Sequence, residues 1–494
     1  MSNASRTPFL IALGAFSGLV TAAVACSSNE TPGSGVSYGG SSATGTGAVG
    51  GDAGGPVGGT SGMGGGSGVG GAISVDGAPG DGGTLCNTNL CLRRVNCSGG
   101  AKTTISGTVY IPNGTLPLYN VTVYIPNAPV TPITHGATCD RCDARLSGEP
   151  IVTALTDTHG NFVLEDVPVG ADIPLVIQIG KWRRQVTIPN VTECTDNALT
   201  DKNLTRLPRD KSEGDMPLIA LTTGEADALE CLLRKIGIAD SEFTTEAGTG
   251  MVNLYAGMES GHEGTNSYSQ AFGGQPFTDA EVFWGTESNL MKYDVVLLSC
   301  EGSENPRNKQ APAPQNMKNF LDKGGRVFAS HWHNYWVEHG PDPFPTAANW
   351  DHRNDDPPPG DATIDQSFPK GKALADWLLN VGGSQTLGII PLLAPQTTVR
   401  TVNRAQRWIY SDAWAAVEYM TLNTPMEVPE EQQCGRLVLS DIHVSSGDTS
   451  SPGDPYPDGC TTTDLTPEEK ALIFMLFDLS SCVTTDTKPP PIPQ

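Results

Sequence analysis

The spacing of apolar residues changes at Asp215, and the change limits the folded part of this chain to two kinds of architecture. Upstream, apolar residues come in short runs broken by turn residues. Ile105–Ile111 ends at Pro112-Asn113-Gly114, and Tyr119–Ile125 puts Val121, Val123 and Ile125 on one face. Ile151–Thr156 leads through Asp157–Gly160 to Asn161–Leu164, and Ile173–Ile179 and Arg184–Ile188 follow. Strands of this length with regular turns predict an antiparallel β-sandwich. Downstream, Pro217–Thr222, Met251–Tyr255, Tyr293–Ser299, Arg326–Ser330 and Gly435–Ser440 read as strands. Tyr293–Ser299 is apolar on both faces, as buried parallel strands are. Between them, helical spacing appears at Ala226–Ile238, Met317–Asp322 and Phe368–Val381. A final helix starts at Thr466-Pro467 with early acids and runs to about Leu479. Alternating strands and helices predict a parallel sheet with right-handed crossovers.

The N-terminal residues belong to neither unit. Thr31 to Thr84 is dominated by Gly, Ser, Thr, Ala and Val. Such a segment cannot bury enough surface to offset its ordering entropy. As a flexible coil of about 55 residues it spans roughly 40 Å. Before it come Arg6 and Phe9–Val24, 16 mostly apolar or small residues, the length of a signal peptide and short for a membrane span. The expected organisation is therefore a signal peptide over 1–25, a disordered tether over 26–85 and a sandwich with a Cys-rich start over 86–210. An α/β unit over 211–483 and a disordered Pro-rich tail over 484–494 complete it.

Three stretches resemble known families. Ala23-Val24-Ala25-Cys26 resembles the lipobox of bacterial lipoproteins. The resemblance implies cleavage before Cys26, lipidation of Cys26, export, and a membrane as the partner of the lipid. Ser27 after the cysteine points, by the same analogy, to the outer membrane. An ordinary secretory signal cut near Cys26 is the alternative. Gly107-Thr-Val, Pro117–Val123, Thr156-Asp157, Gly160-Asn-Phe and Val167-Pro resemble the carboxypeptidase regulatory-like family over about 103–195. That family implies a prealbumin-like sandwich acting as a non-catalytic accessory; the insertion from about Asn127 to Pro150 departs from it. Tyr293–Ser299 followed by Asn319–Phe-Leu-Asp-Lys-Gly-Gly-Arg-Val-Phe-Ala-Ser-His331 resembles the class I glutamine amidotransferase-like fold, over about 215–483. The trehalose-utilisation-protein-like branch is the nearest in pattern, and a flavodoxin-like parallel sheet is implied. The family's nucleophilic cysteine belongs in the turn now held by His331-Trp332-His333. Imidazole does not replace an activated thiolate, so glutaminase activity is not supported.

The chain carries 12 cysteines and a net charge of −24, from 54 acidic and 30 basic side chains. That charge repels a nucleic acid, and no basic stripe offsets it, so nucleic acid is excluded as a partner. With Cys26 set aside, 11 cysteines remain, and in an exported chain they are expected to pair as disulfides, leaving one over. Cys139 and Cys142 have CxxC spacing; zinc would need a second ligand pair, for which Cys86, Cys91 and Cys97 are the nearby candidates, and the thioredoxin-like strand-to-helix setting that redox chemistry wants is not seen. Cys300 is the best candidate for the cysteine left over.

In open α/β sheets, ligands bind beyond the carboxyl ends of the strands. There the sequence places Thr223, Gly224, Cys300, Glu301, His331, Trp332, His333, Tyr335, Asp441 and His443. Thr223, Gly224, Cys300, Glu301, Trp332 and Tyr335 are the candidate binding residues. His331, His333, Asp441 and His443 are the candidate catalytic residues, on the expectation that each His or Asp pair points one way. His331, His333 and His443 are the candidate ligands of a divalent metal; no other cofactor is implied. The alternative is that all are hydrogen-bonded core groups. Two functions follow: an envelope-anchored head that binds a glycan or envelope protein without catalysis, or a hydrolase of a carbohydrate or envelope substrate. Lys181–Arg184 reads as a solvated strand edge with its stems over Trp182, or as a cationic contact for an anionic partner. Pro341–Asp361 reads as a long lid-like loop, with Asp351, Asp355, Asp356 and Asp361 as a weak calcium pattern.

Overall fold

The computed structural model describes residues 88–257, 264–351, 357–444, 453–461 and 463–492. Cys26, the signal-like run, the tether, Cys86, Asp355 and Asp356 lie outside the described residues. The molecule is built mainly from β-sheets, with a few helices. Among the described residues no helix is long and apolar enough to cross a membrane.

Seven strands come first: β1 (Thr104–Thr108), β2 (Thr122–Pro126), β3 (Pro150–Leu155), β4 (Asn161–Glu165), β5 (Gly170–Ile179), β6 (Trp182–Val191) and β7 (Asp196–Leu199). They form two sheets, β4-β1-β7 and β3-β2-β5-β6. All their pairs are antiparallel except β1 with β7, which run parallel. Period-two spacing directs side chains inward: Phe162 and Leu164 of β4 are buried while Asn161 is exposed. Ile105 and Leu164 share a core with Val123, Leu175 and Ile177 of the other sheet.

A helical turn, α1 (Lys202–Thr205), leads to the larger unit. Its strands are β8 (Ile219–Thr222), β9 (Phe243–Thr244), β10 (Val252–Ala256), β11 (Thr278–Asp279), β12 (Val295–Leu298), β13 (Arg326–Ser330) and β14 (Ala348–Trp350). Then come β15 (Gly360–Ile364), β16 (Ile389–Leu392), β17 (Val399–Val402), β18 (Gln406–Ser411), β19 (Ala416–Thr424) and β20 (Gly435–Ser440). The helices between them are α2 (Leu229–Lys235), α3 (Ala280–Trp284), α4 (Glu287–Leu290), α5 (Ala313–Asp322), α6 (Tyr335–Glu338), α7 (Pro369–Asn380) and finally α8 (Pro467–Ser480). One sheet runs β11-β10-β8-β12-β13-β20-β19-β18-β15-β16, with β9 beside β10. It is parallel from β11 to β20 and antiparallel from β20 to β16.

The sheet is therefore mixed where the alternation of strands and helices predicted a parallel one. Four strands between Gly360 and Thr424 form the antiparallel extension. Pro341–Asp361 is not a plain loop either: it holds a short turn, Phe344–Ala347, and β14, which pairs with β17. Asp351 in it is bound by Arg400 at 3.1 Å. Helix α2 is seven residues long, shorter than the predicted Ala226–Ile238.

Helix α8 joins the two halves. Its N-terminus carries a full capping box, Thr466 with Glu469, and Pro467 in the first turn. The run Leu472-Ile-Phe-Met-Leu-Phe477 is apolar on every side, so the helix must be covered all round. Phe474 stacks on Tyr119 at 5.8 Å, and Phe477 packs on Trp182 at 5.9 Å. Each such buried side chain contributes roughly 1.5–3 kcal/mol. At the end of the helix the β5–β6 turn comes so close that a Cβ on Gly180, at φ +54°, would lie 1.7 Å from the Ser480 carbonyl oxygen. Only glycine fits there. Arg436 and Lys370 are buried against Asp478 at 2.8 and 2.7 Å, and Asp486 also accepts from Arg436.

Lys181–Arg184 is not a solvated edge. Trp182 is fully buried, Lys181 pairs with Asp294 at 2.7 Å, and Arg183 pairs with Asp215 at 2.7 Å. These cations tie the first unit to the second.

Four disulfides join Cys97–Cys194, Cys139–Cys434, Cys142–Cys482 and Cys231–Cys460. Cys91 is also disulfide-bonded. The CxxC pair is split between two distant partners, so it is neither a redox dithiol nor a zinc site. Peptide mapping of unreduced protein is expected to recover these four pairs. Replacing Cys231 and Cys460 with serine is expected to lower the unfolding free energy by about 2–5 kcal/mol, read by urea denaturation.

Candidate functional site

The carboxyl ends of β8, β12, β13 and β20 lie side by side, and the turns beyond them carry most of the candidate residues. Their backbones are packed closely. A Cβ on Gly224 would lie 2.1 Å from the Cys300 carbonyl oxygen. Glycine at this position lets the turns after β8 and β12 touch.

One carboxylate holds three of these turns together. Asp227 is fully buried just beyond β8. Its Oδ2 accepts the Cys300 amide at 3.4 Å and the Ser330 hydroxyl. Its Oδ1 accepts the Val444 amide at 2.8 Å. The three donors are Cys300, the residue before His331 and the residue after His443. Sequence reasoning missed Asp227. The signal for it was an acidic residue set between the alanines just before α2.

The result is a cluster of Cys300, His331 and His443. His331 Nδ1 lies 3.1 Å from His443 Nε2 and 3.7 Å from Cys300 Sγ. Cys300 is fully buried and keeps its thiol. His331 has φ +38°, a left-handed conformation that costs a non-glycine residue about 1–3 kcal/mol and is concentrated at functional sites. Trp332 packs its ring on His331 at 4.6 Å.

Other candidates are placed elsewhere. His331–Asn334 forms a tight turn rather than extended chain, so His331 and His333 diverge. The Trp336 indole donates to His333 Nδ1 at 3.0 Å, and Nε2–H donates to the Ser299 carbonyl at 2.9 Å. Both nitrogens are used, which removes His333 from the metal and catalytic sets. Asp441 accepts the Thr398 amide and hydroxyl at 2.6 and 2.7 Å and the Val399 amide at 3.1 Å, so its carboxylate holds a loop. Thr223 donates its hydroxyl to the Thr265 carbonyl at 2.7 Å. Glu301 pairs with buried Lys309 at 2.8 Å. Tyr335 packs against His339 at 4.8 Å.

Burial dominates the electrostatics. It pushes His331 well below the ordinary imidazole value, helped by His443 and His333. Burial and then Lys309 do the same to His333. Burial acts downward on His443 too, but the Cys300 sulfur and the Asp227 carboxylate outweigh it and raise it to about 9. Burial raises Asp441 to about 6 against the pull of its Thr398 and Val399 donors. Glu418, across the strand pair from Asp441, is pushed well above the carboxylate range by burial and then by Asp441. Among the described residues, neither of its oxygens has a hydrogen-bond partner of good geometry.

Among the described residues, the Cys300, His331 and His443 donor atoms lie within 4.8 Å of one another, as do those of the more exposed Glu304, Glu338 and His339. The buried trio can hold a cation, or it can move a proton between thiol and imidazole.

Asp227→Ala would strand three buried donors, and is expected to cost about 3 kcal/mol in urea unfolding. His333 contributes stability that is present above pH 6.5 and falls below it, because the unfolded chain then takes a proton that the folded chain refuses. Between about pH 6 and 5, wild type should therefore lose up to about 1.4 kcal/mol per pH unit more than His333→Gln. Parallel slopes would show that folded His333 does take the proton.

No protein-family model matches the chain, and no curated protein does. Among solved structures, a crystal structure of an N-terminal interface mutant of a type II cohesin–X-dockerin complex from Acetivibrio cellulolyticus is similar at 15% identity. The match covers 30% of this chain and 88% of that one, at a TM-score of 0.15.

Proposed function

We propose that this is an exported envelope protein, anchored in the outer membrane through lipidated Cys26, whose head binds a glycan or envelope protein at the strand-end site. In this reading the first unit is a carboxypeptidase regulatory-like β-sandwich and the second a flavodoxin-like relative of the amidotransferases that has left glutaminase chemistry behind. Support for the second comes from the parallel order β10-β8-β12-β13-β20, which in order of appearance reads 2-1-3-4-5. Support for export comes from the disulfides, which persist in oxidising compartments.

The observation that carries the binding reading is a set of buried polar atoms at adjacent strand ends. Thr222 Oγ1, Ser299 Oγ and Trp332 Nε1 have no hydrogen-bond partner among the described residues. Buried polar groups are nearly always paired, so a ligand that supplies partners is favoured there. A second reading, a metal-assisted or acid–base hydrolase, is favoured by the strained turn at His331 and its contacts with Cys300 and His443.

Cys26→Ser is expected to move the protein from the membrane to the soluble fraction. On an envelope-glycan and envelope-protein panel, Trp332→Ala is expected to weaken binding roughly tenfold, the loss of about one hydrogen bond. Turnover that disappears in His443→Ala selects the hydrolase. Neither binding nor turnover anywhere on the panel rejects both readings.

A further inference from the structure

The thiol and the two imidazoles come from three different strand ends, 31 and 112 residues apart along the chain, yet their donor atoms meet at one point. Zinc fits the spacing of these donor atoms. Zinc–nitrogen bonds of about 2.0–2.1 Å and a zinc–sulfur bond of about 2.3 Å at tetrahedral angles put two nitrogens about 3.3 Å apart, and sulfur and nitrogen about 3.6 Å apart. The observed separations are 3.1 Å for His331 Nδ1 to His443 Nε2 and 3.7 Å for His331 Nδ1 to Cys300 Sγ. The donors are sulfur and nitrogen with no oxygen, which selects against calcium and magnesium.

We propose that Cys300, His331 and His443 are the three protein ligands of a zinc ion whose fourth position is open. Three protein ligands with one open position are the pattern of catalytic rather than structural zinc. Asp227 is the positioning residue, since it fixes the backbone or neighbouring side chain of each ligand. The Cys300 proton leaves on binding, so zinc uptake releases it to solvent and weakens as the pH falls. The proposal deepens the strand-end reading and rests on that site.

The test uses the full chain, purified without an affinity tag and exposed to zinc alone, then to cobalt alone. About one equivalent of zinc is expected, with a thiolate-to-cobalt charge-transfer band in the cobalt form. Cys300→Ser should abolish the band, and His443→Ala should weaken zinc by roughly 100-fold or more, at least the upper end of what loss of a mere supporting residue costs. Asp227→Asn, which keeps the side-chain shape, should weaken zinc by roughly 10–100-fold with the band retained. Matching near-ultraviolet dichroism certifies that each variant is folded. Substoichiometric zinc in folded wild type, or Cys300→Ser binding as tightly as wild type, overturns the proposal. Metal-free protein that still binds a glycan would leave the binding reading intact. Zinc-loaded protein that binds and turns over nothing would leave the metal site and remove that reading.

Discussion

The Asp227 carboxylate is the interaction on which the site depends. It accepts hydrogen bonds from Cys300, Ser330 and Val444, residues that the chain brings from 73, 103 and 217 positions away. Without a common acceptor, three turns at the ends of separate strands would each settle where their own packing took them. With it, the thiol and both imidazoles are held to a few ångströms. Burying a carboxylate is costly unless it is hydrogen-bonded, and three donors meet that cost here.

The scaffold around this clamp is stiff for a different reason. Helix α8 is apolar on every side and is covered by both units, so neither unit can be removed without exposing it. The core accordingly runs on across the boundary expected at residue 210. The segment from about Asn127 to Pro150 is put to use: through Cys139 and Cys142 it is stapled to Cys434 and Cys482 on the far unit. Lys181 and Arg183 add ion pairs across the same boundary, the first with buried Asp294 and the second with the more exposed Asp215.

Much of this frame was legible in the residues. Arg326–Ser330 and Gly435–Ser440 were read to the residue, because glycines and an abrupt polarity change bound each apolar run. The final helix was read from its cap. The antiparallel extension was not, since its strands lie among Pro- and Asp-rich segments and their partners are set by tertiary pairing. His333 was paired with His331 by assuming extended chain, and the tight turn after β13 sends it to Ser299 and Trp336 instead. Asp227 showed in the sequence only as an acidic residue among apolar ones, and its role was hidden because all three of its partners are remote in sequence. Cys300 was singled out as the odd thiol, but no pattern in the sequence could join it to His331 and His443.

X-ray absorption at the zinc edge of the full-length protein tests the convergence of these three residues most directly. The account predicts one sulfur at about 2.3 Å and two imidazole nitrogens at about 2.0–2.1 Å, with the sulfur contribution absent in Cys300→Ser. A shell without sulfur, or one containing several sulfurs, would contradict it.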